Sequence, residues 1–286
     1  VLFVLPSFLG FALFILIPAV LSVLFSFTQY SGGRLSSIRF IGLDNYLAAF
    51  GSEQFWKSMS VTLQFVAGSV VLLLAVSLLF ALCVNRPLAG RTFFRGVLFL
   101  PNMLSVVAIS LAFAMMMHPE KGLLNQLLHS LNLPESQWLA SRKSALPSII
   151  AIFIWQNAGY YMMIFLSGLQ GIGKANYEAA DIEGASGFQK LTFITLPMLS
   201  PVIFLTVILA VIRSFNVFGH VFVLTGGQDG GGPSGSTSVI VFDIYKNAFH
   251  FFRMGYASAE AVLLLIIVLG ITVIQNRKQN EWVSYD

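Results

Sequence analysis

Six long apolar runs constrain this chain more than any other feature. About 20 mostly apolar residues suffice to cross the hydrocarbon core of a bilayer as a helix. Runs of that kind fall at about 1–28, 60–84, 94–117, 146–170, 200–225 and 254–275. Charged residues make up only 10% of the chain, against roughly 25% in soluble domains, so the solvent for most of this surface is lipid. The predicted fold is therefore an all-α integral membrane protein with about six transmembrane helices, forming one domain over 1–286. Pro6, Pro18 and Pro101 lie inside runs and are acceptable there, because neighbouring helices can satisfy the freed carbonyls.

Several function classes drop out. A net charge of +4 without a basic run gives no nucleic-acid footprint. Cys83 is the single cysteine, so neither a disulfide within the chain nor a cysteine metal site can form, and it reads as a small apolar filler. His118, His129, His220 and His250 have no ligand spacing, so no metal site is expected. "TGGQDGGGPSGSTS" (225–238) is rich in glycine but lacks the Lys-Ser or Lys-Thr pair of a phosphate-binding loop. It reads as a flexible outer connection. The chain starts at Val1 rather than methionine, which suggests that the native start is missing. The first run is too long for a signal-peptide core and reads as a retained span.

Orientation is not decided by charge. Arg86, Arg91, Lys174, Lys190, Arg277 and Lys278 fall on one set of connections. Arg34, Arg39, Lys57, Lys121, Arg142, Lys143, Lys246 and Arg253 fall on the other. Counting alone therefore does not assign a positive, cytoplasmic side. Crowding of charge at span ends favours placing "NRPLAGRTFFR" (85–95) and "NRKQN" (276–280) inside.

The connection 171–199 is the unusual one. "EAADIEGA" carries helix formers and stops at Gly184, and "SGFQKLTFITL" restarts with Ser186 as a candidate cap. Pro197 follows where the next span begins, a position that tolerates proline. The pattern predicts helix, glycine break, helix, span. Such a hairpin could lodge in a groove of a soluble partner or lie on the lipid surface, and physics alone leaves both open.

Glu178-Ala179-Ala180, Gly184-Ala185, Phe188 and Ile194-x-Leu196-Pro197 resemble, in order and spacing, the EAA loop of permease subunits of binding-protein-dependent ABC importers. "FIGLDNYLAAF" (40–50), Phe55-Trp56, "WQNAGYYMMIFLSGLQGI" (155–172), "GGP" (231–233), "IYKNAF" (244–249) and "GYASAEA" (255–261) are similar to segments of the carbohydrate-type permeases, and "GLDNY" to the first permease of a pair. Two departures stand out. Ile172-Gly173 replaces the family's usual Ile-Pro, and Glu183-Gly184 replaces its Asp-Gly.

The resemblance implies a transport subunit of an ATP-driven importer, working by alternating access in a bacterial plasma membrane, with both termini cytoplasmic. Its expected partners are a second homologous permease, two ATPase subunits, an extracytoplasmic solute-binding protein, a carbohydrate and the bilayer. It implies no cofactor and no catalytic residue in this chain, since ATP and Mg would be bound by the partner ATPase. The implied ATPase-coupling residues are Glu178, Ala179, Ala180, Glu183, Gly184 and Ala185. Glu178 would sit near the N-terminus of the first short helix, favoured by its dipole, and Gly184 would permit the break.

Polar residues inside spans mark a candidate solute path. Gln156 with Tyr160, and Asn157 with Tyr161, are i, i+4 pairs in the fourth run, while Arg213, Asn216 and His220 fall on one helical face of the fifth. These types suit a sugar, but polar contacts that hold helices together are the competing reading. Arg213 is costly in lipid and is expected to face the bundle. Glu260 differs from it in depth by about 6 Å, so an Arg213–Glu260 ion pair or a shared polar cluster is expected. The alternatives are a self-sufficient secondary transporter, or an ABC importer permease for a non-sugar solute.

Overall fold

A computed structural model of the chain describes residues 4–33, 38–86 and 90–279. Residues 1–3 of the first run, Arg34, residues 87–89 and Asn280 lie outside the described residues. The fold is almost wholly helical. Four helices are long and apolar enough to cross a membrane, and counting two bent helix pairs as spans brings the number to six among the described residues.

The first run forms α1, Leu5–Ser26. It contains a π turn over Ala12–Leu16, next to Pro18, which cannot donate a helical hydrogen bond. A two-residue ribbon, β1 Thr28–Gln29 with β2 Arg39–Phe40, leads to α2, Asp44–Gly51. The second run is α3, Glu53–Asn85. It starts seven residues before its apolar stretch, because Ser52 caps it by accepting from Phe55 N–H at 3.3 Å.

The third run is not one straight helix. It divides into α4, Arg91–Met103, and α5, Val106–Met116, bent by 95°. α6, Leu123–Ser130, follows. The fourth run is α7, Ala145–Gly171, and α8, Lys174–Ile182, comes after a turn at Ile172 and Gly173. α9, Gly187–Met198, meets α10, Ser200–Phe215, at 68°. The fifth run therefore stops early, at Phe215, and resumes as the short α11, Gly219–Leu224. α12, Ile240–Tyr245, precedes a π turn at Lys246–His250, and α13, Met254–Arg277, completes the described chain.

α7 lies at the centre. Its most extensive partner is α3, and it also packs on α4 and α10. Phe65 of α3 meets Phe153 of α7 edge-on at 5.2 Å. Ser69 of α3 donates to the Ser214 hydroxyl of α10 at 3.1 Å. Small residues permit this closeness, as expected where lipid supplies no hydrophobic drive between helices. A Cβ on Gly159 would lie 1.9 Å from the Leu98 carbonyl oxygen. α1 touches the bundle mainly through α13.

The "GLDNY" segment has a visible task. Asn45 donates to the Ser26 and Thr28 carbonyls, both at 2.9 Å, and Tyr46 shares a 2.6 Å bond with Ser26. It thus satisfies the open C-terminal end of α1 beside Gly255 of α13, where a Cβ would meet the Thr28 oxygen.

The glycine-rich stretch is not the flexible tether that its composition suggested. Gly231, Gly232 and Gly235 all take positive φ. Gly231 N–H donates to Thr225 Oγ1, Thr237 N–H donates to the Gly231 carbonyl, and Lys57 Nζ donates to the Ser234 carbonyl. The segment after it folds back into the bundle, burying Val239, Ile240 and Phe242. Ile240 N–H donates to Thr62 of α3 at 2.8 Å. Asp243, on the same segment, accepts from Gln54 at 3.4 Å, and burial pushes its carboxyl above the ordinary value against the pull of that bond. Cys83 is exposed on the flank of α3 rather than packed as filler.

The Gly159 contact yields a prediction. Gly159→Ala must push α4 off α7 and should cost about 1–3 kcal/mol, lowering the melting temperature in detergent. Gly10→Ala, with nothing within 4 Å of the new methyl, should leave it unchanged.

Candidate functional site

The hairpin 174–198 is built as its sequence suggests, with one exception. α8 closes with Gly184 N–H on the Asp181 carbonyl and Ala185 N–H on the Ala180 carbonyl. Gly184 has φ +74°, a left-handed conformation that glycine adopts without strain. α9 then opens on a capping box. Ser186 N–H donates to Gln189 Oε1 at 2.7 Å, and Gln189 N–H donates to Ser186 Oγ at 3.3 Å. The exception is Glu178. It is the fifth residue of α8, which has no acid in its first turn, so the expected dipole role fails. The helix begins at Lys174, earlier than expected, and the dipole effect is confined to the first turn.

Cross-links between the two legs were not anticipated. Lys190 pairs with Asp181 across the break, and Tyr177 shares a 3.0 Å bond with Thr195. Opposite charges on either side of a glycine were the available signal. Ala180 is buried between the legs, whereas Glu178, Ala179, Glu183 and Gly184 are exposed and Ala185 is half-buried. Asn176, Ala179, Ala180, Glu183, Phe193 and Pro197 help to line a groove of about 440 Å³. Ile182 is 88% exposed, and Phe188 and Phe193 are each 76% exposed. A polar hairpin that leaves three large apolar side chains uncovered carries an interaction face.

The seven candidate path residues divide into two groups. Gln156, Asn157, Tyr161 and His220 are buried. Gln156 bonds His220 Nε2 at 2.6 Å and donates to the Leu104 carbonyl at 3.3 Å. That carbonyl lies at the bend between α4 and α5, where helical partners are missing. Asn157 donates to the Phe153 carbonyl and accepts from Asn102, at 2.7 and 3.4 Å. Asn102 was missed by the sequence reading, although it follows Pro101, the residue that marks the helix as breakable.

Arg213 and Asn216 are exposed, and Tyr160 is half-buried. The Arg213 guanidinium stands 5.7 Å from the Tyr160 ring centroid, and Asn216 donates to the Ile212 carbonyl at 2.8 Å. Arg213, Asn216 and His220 do not share one helical face. The helix ends at Phe215, so His220 belongs to α11 and turns inward. The expected Arg213–Glu260 ion pair is also absent. Glu260 is fully buried and accepts from Asn247 at 2.9 Å, because the in-folded segment delivers an amide to α13 while Arg213 reaches α7. Arg213 is exposed on the single chain rather than turned into its bundle.

Residues 73–278 match the family described as binding-protein-dependent transport system inner membrane component. The chain belongs to this family. The permease is similar to the probable ABC transporter permease protein YesP of Bacillus subtilis, 35% identical over 289 residues that cover 99% of this chain and 91% of the relative. It is similar to the trehalose/maltose transport system permease protein MalF of Thermococcus litoralis, 34% identical over 235 residues covering 82% and 78%. Its fold is that of a chain in the crystal structure of a bacterial alginate ABC transporter bound to an alginate pentasaccharide-bound periplasmic protein. The TM-score there is 0.85 at 24% identity, covering 98% of this chain and 93% of that one. The chain is thus a multi-pass membrane transport subunit with the fold of an ABC importer permease.

The buried network yields a second prediction. Gln156→Leu strands the Leu104 carbonyl and the His220 imidazole. Leaving a buried polar group unpaired costs about 1–3 kcal/mol, so the variant should melt well below wild type. Asn102→Ala, which removes only a 3.4 Å contact, should melt close to it.

Proposed function

We propose that this permease is the first of two homologous membrane subunits of an ATP-driven importer, carrying a carbohydrate from an extracytoplasmic binding protein into the cytoplasm. The observation that carries this reading is the hairpin, a rigid two-legged element with exposed Ile182, Phe188 and Phe193 beside a groove. In this reading it seats in an ATPase subunit, which binds ATP and Mg. The second leg runs on into α10 through Leu199, and the first leaves α7 after only Ile172 and Gly173. Closure of two ATPases would therefore move both spans directly. The hairpin is then cytoplasmic, as are both termini. The carbohydrate class is supported by the trehalose/maltose relative and by the "GLDNY" and "GYASA" resemblance.

Within this scheme the coupling surface comprises Glu178, Ala179, Glu183, Gly184 and Ala185, with Ala180 packed beneath. Tyr160, Arg213 and Asn216 face the solute path, which the second permease closes from the other side. Gln156, Asn157 and His220 hold the bent helices that shape it, with Tyr161 buried on the same helix as Gln156 and Asn157.

Co-purification in mild detergent tests the reading. Wild type should bring down an ATPase and a second permease, identified by mass spectrometry. Gly184→Asp places a side chain at a left-handed position and Glu178→Lys reverses a surface charge. Both should lose the ATPase while keeping the second permease. A wild-type chain that purifies alone and moves solute in liposomes without ATP would refute it.

A further inference from the structure

We propose that Arg213 and Tyr160 form a binding site for an acidic sugar, the guanidinium taking a carboxylate and the phenol ring stacking on the sugar face, so that the solute is an anionic oligosaccharide. This rests on the carbohydrate-importer reading above and adds the charge class of the solute.

Tyr160 lies fifteen residues into the 27-residue α7, about 22 Å along its axis, near mid-span. Arg213 stands over that ring, so its charge is held at the same depth. The bilayer centre disfavours a guanidinium, and such residues face a bundle interior or a water-filled cavity. Arg213 is exposed on this chain, so its face of the permease borders water or a protein partner rather than lipid.

The described residues contain two ion pairs, His129–Glu135 and Asp181–Lys190, and neither involves Arg213. The buried acid of α13, Glu260, is held by Asn247, and Asp243 by Gln54. The Tyr160 ring lies against Arg213, Tyr161 and His220 lie within its electrostatic reach, and none of the three supplies a carboxylate. No acid among the described residues pairs with Arg213, and we assign its counter-charge to the solute.

Chemistry selects its form. Arginine presents a planar fork matched to carboxylate, and an aromatic face beside it suits the apolar face of a pyranose ring. Tyr160 also lines a groove of about 580 Å³ with Arg95, Phe99 and Ser167. Beside Tyr160 the groove thus carries a second cation and a hydroxyl.

The test uses the complete importer, with its second permease, ATPases and binding protein, in liposomes. Two panels are offered, oligogalacturonates of two to four units and neutral glucose oligosaccharides of the same lengths. The expected result is ATP-dependent uptake of an acidic oligosaccharide, reduced about tenfold or more in Arg213→Gln, the size of one lost charged contact, with the permease pair intact on size exclusion. Arg213→Lys should retain part of the uptake. Uptake of neutral sugars alone would overturn the acidic class and leave the importer reading standing. Acidic uptake that survives Arg213→Gln would overturn the assignment to this residue. Separation of the permeases in Arg213→Gln would assign the arginine to an ion pair between subunits and also overturn it. If neither panel moves with ATP, the carbohydrate reading falls and takes this inference with it.

Discussion

The centre of this molecule is α7, and α7 can hold its partners only because they come very close. In lipid, apolar side chains gain nothing by meeting one another rather than acyl tails, so helices associate through close packing and a few hydrogen bonds. Gly159 lets the α4 backbone approach, and Gly168 admits Leu199 and Val202, a Cβ there lying 2.7 Å from the Leu199 methyl. Phe153 meets Phe65 on the α3 side. One helix thereby contacts the bent α4, the long α3 and the start of α10, and its C-terminal end leads within two residues into the hairpin. A displacement of the hairpin has a short, stiff route to mid-span.

The bends are the second organising feature. A helix broken at membrane depth leaves carbonyls without partners, and such breaks persist only where protein or water satisfies them. Gln156 does this at Leu104 and anchors His220 from the next bend in the same contact. Asn247 and Glu260 bind the in-folded segment to α13 in a similar way. Polar residues that resemble a solute path in the sequence are in large part the internal fastenings of bent helices. Under the proposed function, the residues left over on the surface, Tyr160, Arg213 and Asn216, are the ones that would meet a solute.

This division explains what the sequence could disclose. Helices and their apolar runs were legible because lipid demands length and internal hydrogen bonding. The hairpin was legible because Gly184 and Ser186 are local signals with local consequences. The 95° bend was not, since Pro101 occurs in a run that reads as one straight span and the partner that sustains the break, Gln156, is 52 residues from Leu104. The glycine-rich stretch misled for the same reason. Its glycines look like slack until Thr225, Lys57 and Thr62 are seen to pin the fold around them. The expected Arg213–Glu260 pair failed because span counting gives a depth but no facing partner, and the in-folded Asn247 that bonds Glu260 was invisible to it.

The claim that the hairpin carries motion between an ATPase and the spans is tested most directly by a disulfide cross-link. In a Cys83→Ser background, Ile182→Cys places a single thiol at the exposed tip of α8. In the assembled importer it should form a cross-link to a cysteine scanned across the ATPase surface, and fixing that link should stop ATP-driven uptake. An importer that remains active while the thiol at 182 links to no ATPase position, or that imports unimpeded once linked, would contradict the account.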